Sequence, residues 1–267
     1  MKRFLVTLAL LAFPMSAFAQ AKKACNIDGA NGALCQGLVA WYPMEELTDS
    51  TRKNSSGYGS DLRECDGFNT PHTAAGKFGN ALAANVDIVR PLQLPYAGSS
   101  FGPGFWTIAF HIKLLSTRAA NSYILSTQDS SSAKEGIKVY VDTLNKIHVE
   151  AYEGETDTLK TITYSSALTL NSWFAVVIKS SPIASMGGHP GLSISVANGT
   201  FQTVAYTYNI RSNPGGTLAV GPVSGGDSSS CAAGVGDYYL DNLGFWSRAF
   251  SPADVTLFNA LAVDYPF

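Results

Sequence analysis

Five side chains in the middle of the sequence have the types and spacing of a ligand surface. Lys138 and Tyr140 alternate with Ile137, Val139 and Val141. His148, Glu150 and Tyr152 alternate with Ile147, Val149 and Ala151. A period of two places each polar set on one face of a strand and the apolar set on the other. Pairing of the two strands through the turn at 143–146 brings the polar sets together. An ammonium, two phenols, an imidazole and a carboxylate on one sheet face can hydrogen-bond a glycan. The plainer reading of the same pattern is a solvated sheet face.

Other candidate chemistry is thinner. Glu150 and Glu153 have opposite strand parity, and Glu153 to Glu155 is turn-like, so these acids do not form a catalytic pair. His72, His111, His148 and His189 are scattered and no CxxC occurs, so the ligand spacing of a zinc site is absent. Trp41, Trp106, Trp173 and Trp246 all lie in apolar, strand-like segments, which points to core packing rather than sugar platforms.

The elements that must carry these residues follow from composition. The chain has 267 residues, 46% hydrophobic and 14% charged, with a net charge of -2. That is enough apolar surface for a core, and it excludes a disordered or collagen-like chain. The near-neutral charge argues against nucleic acid, whose phosphates need a basic face. Residues 1–19 read as a signal peptide: Lys2 and Arg3 are basic, Phe4 to Phe13 is apolar, and Ala17-Phe18-Ala19 is a small-x-small cleavage site. The apolar run is too short to span a bilayer, and no later stretch is long enough. The expectation is a secreted or periplasmic protein without a membrane span. In an oxidising compartment Cys25, Cys35, Cys65 and Cys231 form two disulfides. Three pairings exist; Cys25–Cys35 as a local clamp and Cys65–Cys231 as a long-range tie are the favoured pair.

From Gly37 onward short alternating runs are separated by Gly, Ser, Asn and Pro. Leu38 to Tyr42, Trp106 to Leu114, Ser122 to Thr127, Thr158 to Tyr164, Trp173 to Lys179, Leu192 to Val196, Phe201 to Tyr208, Thr217 to Val220 and Tyr238 to Trp246 join the two strands above. One helix follows Ser251-Pro252-Ala253-Asp254, with a hydroxyl at the N-cap, proline at N1 and an acid at N3. Val255, Leu257, Phe258 and Leu261 give it an apolar stripe. The expected fold is all-β, a two-sheet antiparallel jelly-roll sandwich with a short C-terminal helix. Residues 20–36 are an N-terminal extension and 37–263 one domain.

Three segments in order resemble the laminin-G-like, concanavalin-A-like jelly-roll domains of secreted bacterial proteins. Gly37-Leu38-Val39-Ala40-Trp41-Tyr42-Pro43-Met44, with Asp49-Ser50 and Asn54-Ser55-Ser56-Gly57, is similar to the family's opening strand and loop. Gly76-Lys77-Phe78-Gly79-Asn80-Ala81-Leu82 is similar to its "G-K-F-G-x-A-L" segment, and Tyr239 to Ser251 to its closing strand. The resemblance implies two antiparallel sheets face to face, one concave. It also implies a structural calcium between opening loop and closing strand, with Asp49, Asn54, Gly57 and Asp241 as oxygen ligands. Ordinary turn chemistry is the alternative, and Thr51-Arg52-Lys53 brings two positive charges to the loop. Such folds host lectins, adhesion modules, glucanases and lyases alike. The glucanase E-x-D-x-x-E pattern is absent, and Lys146-Ile147-His148 is only a faint echo of the lyase strand. The expected function is therefore a non-catalytic recognition module for a glycan or a protein surface. The alternatives are a polysaccharide-degrading enzyme using Glu150 and His148, or a structural part of a surface assembly.

Overall fold

The strict alternation from Trp106 to Leu114 builds the central strand of the molecule. In the structure, a computed structural model, residues 32–46, 51–56, 60–65, 73–84, 91–94, 104–128, 135–182, 190–207, 210–213, 216–231 and 234–261 are described. They form two antiparallel sheets. The first runs β14 (Gln202–Ala205), β13 (Pro190–Val196), β12 (Trp173–Pro182), β7 (Trp106–Leu114), β16 (Tyr238–Trp246), β5 (Asn80–Ala83), β4 (Thr73–Ala75), with β1 (Leu38–Tyr42) paired to the second half of β16. The second runs β11 (Leu159–Thr163), β10 (Ile147–Tyr152), β9 (Ile137–Val141), β8 (Ser122–Ser126), β15 (Leu218–Val220), β6 (Leu92–Leu94), β3 (Leu62–Glu64), β2 (Thr51–Arg52). Two short helices, α1 (Gly32–Cys35) and α2 (Pro252–Asn259), lie at the ends of the described chain. This is the expected two-sheet sandwich with a C-terminal helix.

The main core is the space between the sheets. Ile108, Phe110 and Ile112 of β7 and Val176 and Ile178 of β12 point inward from the first sheet. Val139, Ile147 and Val149 meet them from the second. A second core lies on the outer face of the first sheet, where Trp41, Ala109, Val177 and Trp246 are covered by Val255 and Phe258 of α2 and Leu34 of α1. Thus the inward residues of β7 face the other sheet, and part of its outward set faces a helix.

Helix α2 starts where its sequence requires. Ser251 is extended at φ -75° and its side chain accepts from the Asp254 N–H, while Asp254 reaches back to the Ser251 N–H at 2.7 Å, a complete capping box. Arg248 then grips Asp254 with two bonds of 2.8 and 2.9 Å and the Ala33 and Gln36 carbonyls at 2.6 Å each, tying α1 to α2. Strand β16 carries a bulge between Asp241 and Gly244, with Asn242 in the left-handed region at φ 52°. A Cβ at Gly244 would collide with the Trp246 and Trp41 rings, so glycine is what lets the two indoles pack there.

The strands β2 to β6 were not legible in the sequence. Each has two to four residues, too few to display a period, and each exists because a neighbouring strand offers it hydrogen-bonding partners. Of the expected Phe201 to Tyr208 strand, Gln202–Ala205 form β14, and Ser224–Gly226 form a 3-10 turn.

Candidate functional site

Strands β9 and β10 pair in the register that the alternation implies. His148 stands opposite Tyr140 and Glu150 opposite Lys138. With Ile147, Val149 and Ala151 turned into the core, Lys138, Tyr140, His148, Glu150 and Tyr152 share the outer face of the second sheet. The five residues singled out in the sequence are thus brought together.

Their geometry is more specific than a row of solvated side chains. The Tyr140 and His148 rings stack with parallel planes and centroids 4.8 Å apart. Tyr123 of β8 lies against the other side of Tyr140, at 5.4 Å. The Tyr140 hydroxyl donates to Glu150 Oε1 at 2.8 Å. Burial raises the Tyr140 phenol well above its ordinary pKa, and the bond to the Glu150 carboxylate raises it further. His148 is held at both nitrogens: Nε2 is 2.8 Å from Asp142 Oδ2, and Nδ1 is 2.9 Å from Thr163 Oγ1. Partial burial of Asp142 would raise its carboxyl, but backbone bonds from Lys146 and Leu144 and the His148 contact outweigh this and lower it. The Lys138 ammonium reaches the Gly225 carbonyl at 3.5 Å and lies 5.9 Å from the Tyr123 ring centre. Tyr152, half-buried, stands opposite Leu159.

This arrangement decides what the face can offer. The Tyr140 and His148 ring faces cover each other, so they are not flat platforms for a sugar ring. What remains is a polar rim: the Glu150 carboxylate, the Lys138 ammonium, and the Tyr152 side chain. Beside it opens a depression of about 440 Å³ lined by Tyr123, Asn121, Ser224, Gly225 and Val235. Tyr123 and the Lys138 contact to Gly225 make rim and depression continuous. Tyr123, Asp142 and Thr163 were not picked out from the sequence. Tyr123 and Thr163 lie in the strands Ser122–Ser126 and Leu159–Thr163, and Asp142 continues the alternation of Lys138 and Tyr140, but none of these patterns reveals which strands become neighbours.

The calcium ligands are placed differently. Asp49 and Gly57 lie outside the described residues. Asn54 Oδ1 accepts from the Trp41 N–H at 3.1 Å, the Ser56 N–H at 3.1 Å and the Ser56 hydroxyl at 2.7 Å. Three donors use both lone pairs of that oxygen. Asp241 is fully buried and its Oδ2 accepts the Lys77 and Phe78 N–H groups at 2.8 and 3.1 Å. Arg52 is also buried, 4.0 Å from Glu46. Among the described residues no group of three or more His, Cys, Asp or Glu side chains gathers as a metal site would. Asn54 Oδ1 and Asp241 Oδ2 are thus each engaged by donors of the chain itself.

Cys65 and Cys231 are joined, with Cα atoms 5.4 Å apart, as the favoured pairing requires. Cys35 is disulfide-bonded as well; Cys25, its expected partner, lies outside the described residues. Three tryptophans are core residues: Trp41, Trp106 and Trp246 are 1%, 3% and 2% exposed. Trp173 is not. It is half-buried on the outer face of the first sheet, while Phe174, Val176 and Ile178 point the other way and Ala175 and Val177, on its own face, lie under α2.

No protein-family model matches the chain, and no curated protein matches it significantly. Solved structures do. The receptor-binding domain of botulinum neurotoxin type G superposes with a TM-score of 0.58 at 12% identity, over 84% of this chain and 51% of that one. The binding domain of Paraclostridial Mosquitocidal Protein 1 gives 0.61 at 12% identity, over 85% and 52%. A Trypanosoma rangeli sialidase, solved with 2,3-difluorosialic acid, gives 0.60 at 12% identity, over 93% and 39%. The chain spans about half the length of the toxin domains it matches. At this identity the likeness shows the fold, a two-sheet β-sandwich, and no finer family. Among the described residues no helix is long and apolar enough to cross a membrane.

Proposed function

We propose that the protein is an exported, non-catalytic recognition module of the laminin-G-like kind, binding a glycan or a protein surface through the outer face of β8 to β11. The observation that carries this reading is the pre-organised rim: Tyr140 fixes Glu150, and Asp142 and Thr163 fix His148. Such positioning lowers the ordering cost that binding would otherwise incur. Fold neighbours lend support, since one was solved with N-acetylneuraminic acid and another with rat synaptotagmin II. The Cys65–Cys231 disulfide supports export to an oxidising compartment. A glycan array and pull-downs from envelope extracts test the reading. Expected is retention that falls at least tenfold in Glu150→Gln or Lys138→Gln, about the value of one charge-assisted hydrogen bond. Silence in both assays returns the protein to a structural role.

One observation favours a second reading. Asp142, His148 and Thr163 form a hydrogen-bonded relay, and Glu150 stands on the same face, as an acid–base pair on polysaccharide would need. Both side chains are engaged with neighbours, which favours rigidity over proton transfer. Product assays on a polysaccharide panel discriminate the two; turnover lost in Glu150→Gln would establish the enzyme.

A further inference from the structure

The half-buried Trp173 has a partner set on the face opposite the rim. Strand register places Trp173 of β12 opposite Lys113 of β7, and Lys113 opposite Tyr239 of β16. All three point outward, because Phe174, Ile112, Tyr238 and Leu240 beside them point into the main core. They form one lateral row across three strands, about 10 Å from Trp173 to Tyr239 at two strand spacings.

The next rows along the same face are covered. His111 is stacked on Phe258 of α2 at 4.7 Å and meets Phe78 edge-on at 5.9 Å. Ala109, Ala175 and Val177 are buried under the same helix. Cover ends before Trp173, Lys113 and Tyr239, which remain half-buried and belong to neither core cluster. Unlike Tyr140 and His148, Trp173 stacks on no other ring among the described residues. The row therefore presents an indole with no ring partner among the described residues.

Within the row the one charged group is the Lys113 ammonium. The Lys113 ammonium lies 5.7 Å over the Tyr239 ring. Lys77, on the turn bounding the row, lies 5.0 Å over Phe78. The carboxylates nearby keep their charge but are bonded within the chain: Asp241 accepts the turn's N–H groups, and Asp237 accepts from the Ser116 hydroxyl. A flat aromatic face packs on the C–H face of a pyranose, and an ammonium beside it pairs with a carboxylate. We propose that Trp173, Lys113 and Tyr239 form a second binding site, on the first sheet, for a saccharide bearing a carboxylate. This site does not rest on the rim of the second sheet.

Tryptophan fluorescence tests it, because Trp41, Trp106 and Trp246 are shielded and Trp173 is the indole that ligand can reach. Oligogalacturonide, oligoalginate, a hyaluronan hexasaccharide and sialyllactose are each titrated beside the carboxyl-reduced form. Expected is a saturable emission change with at least one acidic member, preferred about tenfold over its reduced form. Lys113→Gln should keep the fluorophore and lose the preference, and Tyr239→Ala should weaken binding. Lys138→Gln should change neither. Trp173→Phe should remove the signal with an unchanged melting temperature, since the side chain packs against neither core. No emission change with any acidic member, equal affinity for both forms, or an unaltered preference in Lys113→Gln would overturn the proposal.

Discussion

At the scale of single residues, two of the four expected calcium ligands, Asn54 and Asp241, accept hydrogen bonds from the chain itself. Asp241 faces the turn at 76–79 and accepts two backbone N–H groups across 164 and 163 residues of sequence. Removing an acceptor from buried donors costs about 1–3 kcal/mol. Asp241→Ala is therefore expected to lower the melting temperature by several degrees, equally with and without a chelator. Calorimetry of wild type and mutant under both conditions checks this. A wild-type transition that shifts on chelation would instead support a calcium site that includes Asp49 and Gly57. The Tyr140 hydroxyl is a smaller case. Tyr140→Phe keeps the stacked pair with His148 and loses one bond to a carboxylate, so denaturant titration should show a cost of about 1–2 kcal/mol.

At the scale of elements, α2 is the piece whose removal exposes most. Phe258 touches the Trp41, Trp246 and His111 rings at once. Phe258→Ala should cost about 3–5 kcal/mol, the range for a buried aromatic. The helix also has a definable acid limit. Partial burial alone would raise the Asp254 carboxyl, but bonds from Arg248 and Ser251 and the Arg248 charge outweigh it and lower the group below its ordinary value. A depressed folded-state pKa gives stability that is fully present above the unfolded value, about 3.9, and is lost as pH falls through the folded value. Melting temperature should accordingly fall more steeply below about pH 4 in wild type than in Asp254→Asn. At pH 7 the mutant should be less stable by about 1 kcal/mol for the lost cap. Parallel slopes for the two proteins in acid would show that Arg248 and Asp254 contribute no such linkage.

At the scale of the whole molecule, one covalent tie spans the fold. Cys65 follows β3 in the second sheet, and Cys231 precedes β16 in the first, at a sequence separation of 166. In the chain-entropy model a loop of that length is worth about 5 kcal/mol. The double mutant Cys65→Ala/Cys231→Ala should unfold at a markedly lower denaturant midpoint. A midpoint within error of wild type would show that the sandwich supplies its stability without the tie. Because β16 pairs with β1, β5 and β7, loosening its approach should be felt across the first sheet rather than locally.

The sequence by itself determined the long strands and the helix, since each is written in adjacent residues. Trp106–Leu114 and Ile137–Val141 show their period within their own length, and Ser251 to Asp254 spells a cap that forms from those four residues. The gathering of Lys138, Tyr140, His148, Glu150 and Tyr152 was also legible, because a hairpin needs only a turn between consecutive strands. What lay beyond the sequence was everything set by non-consecutive pairing. That Lys113 stands between Trp173 and Tyr239 follows from β7 sitting between β12 and β16, an order that no local period encodes. That α2 covers His111 and Ala109 and stops before Lys113 is likewise a tertiary fact. Alternation tells which side of a strand a residue occupies; only the packed structure decides whether that side meets a second sheet, a helix or solvent.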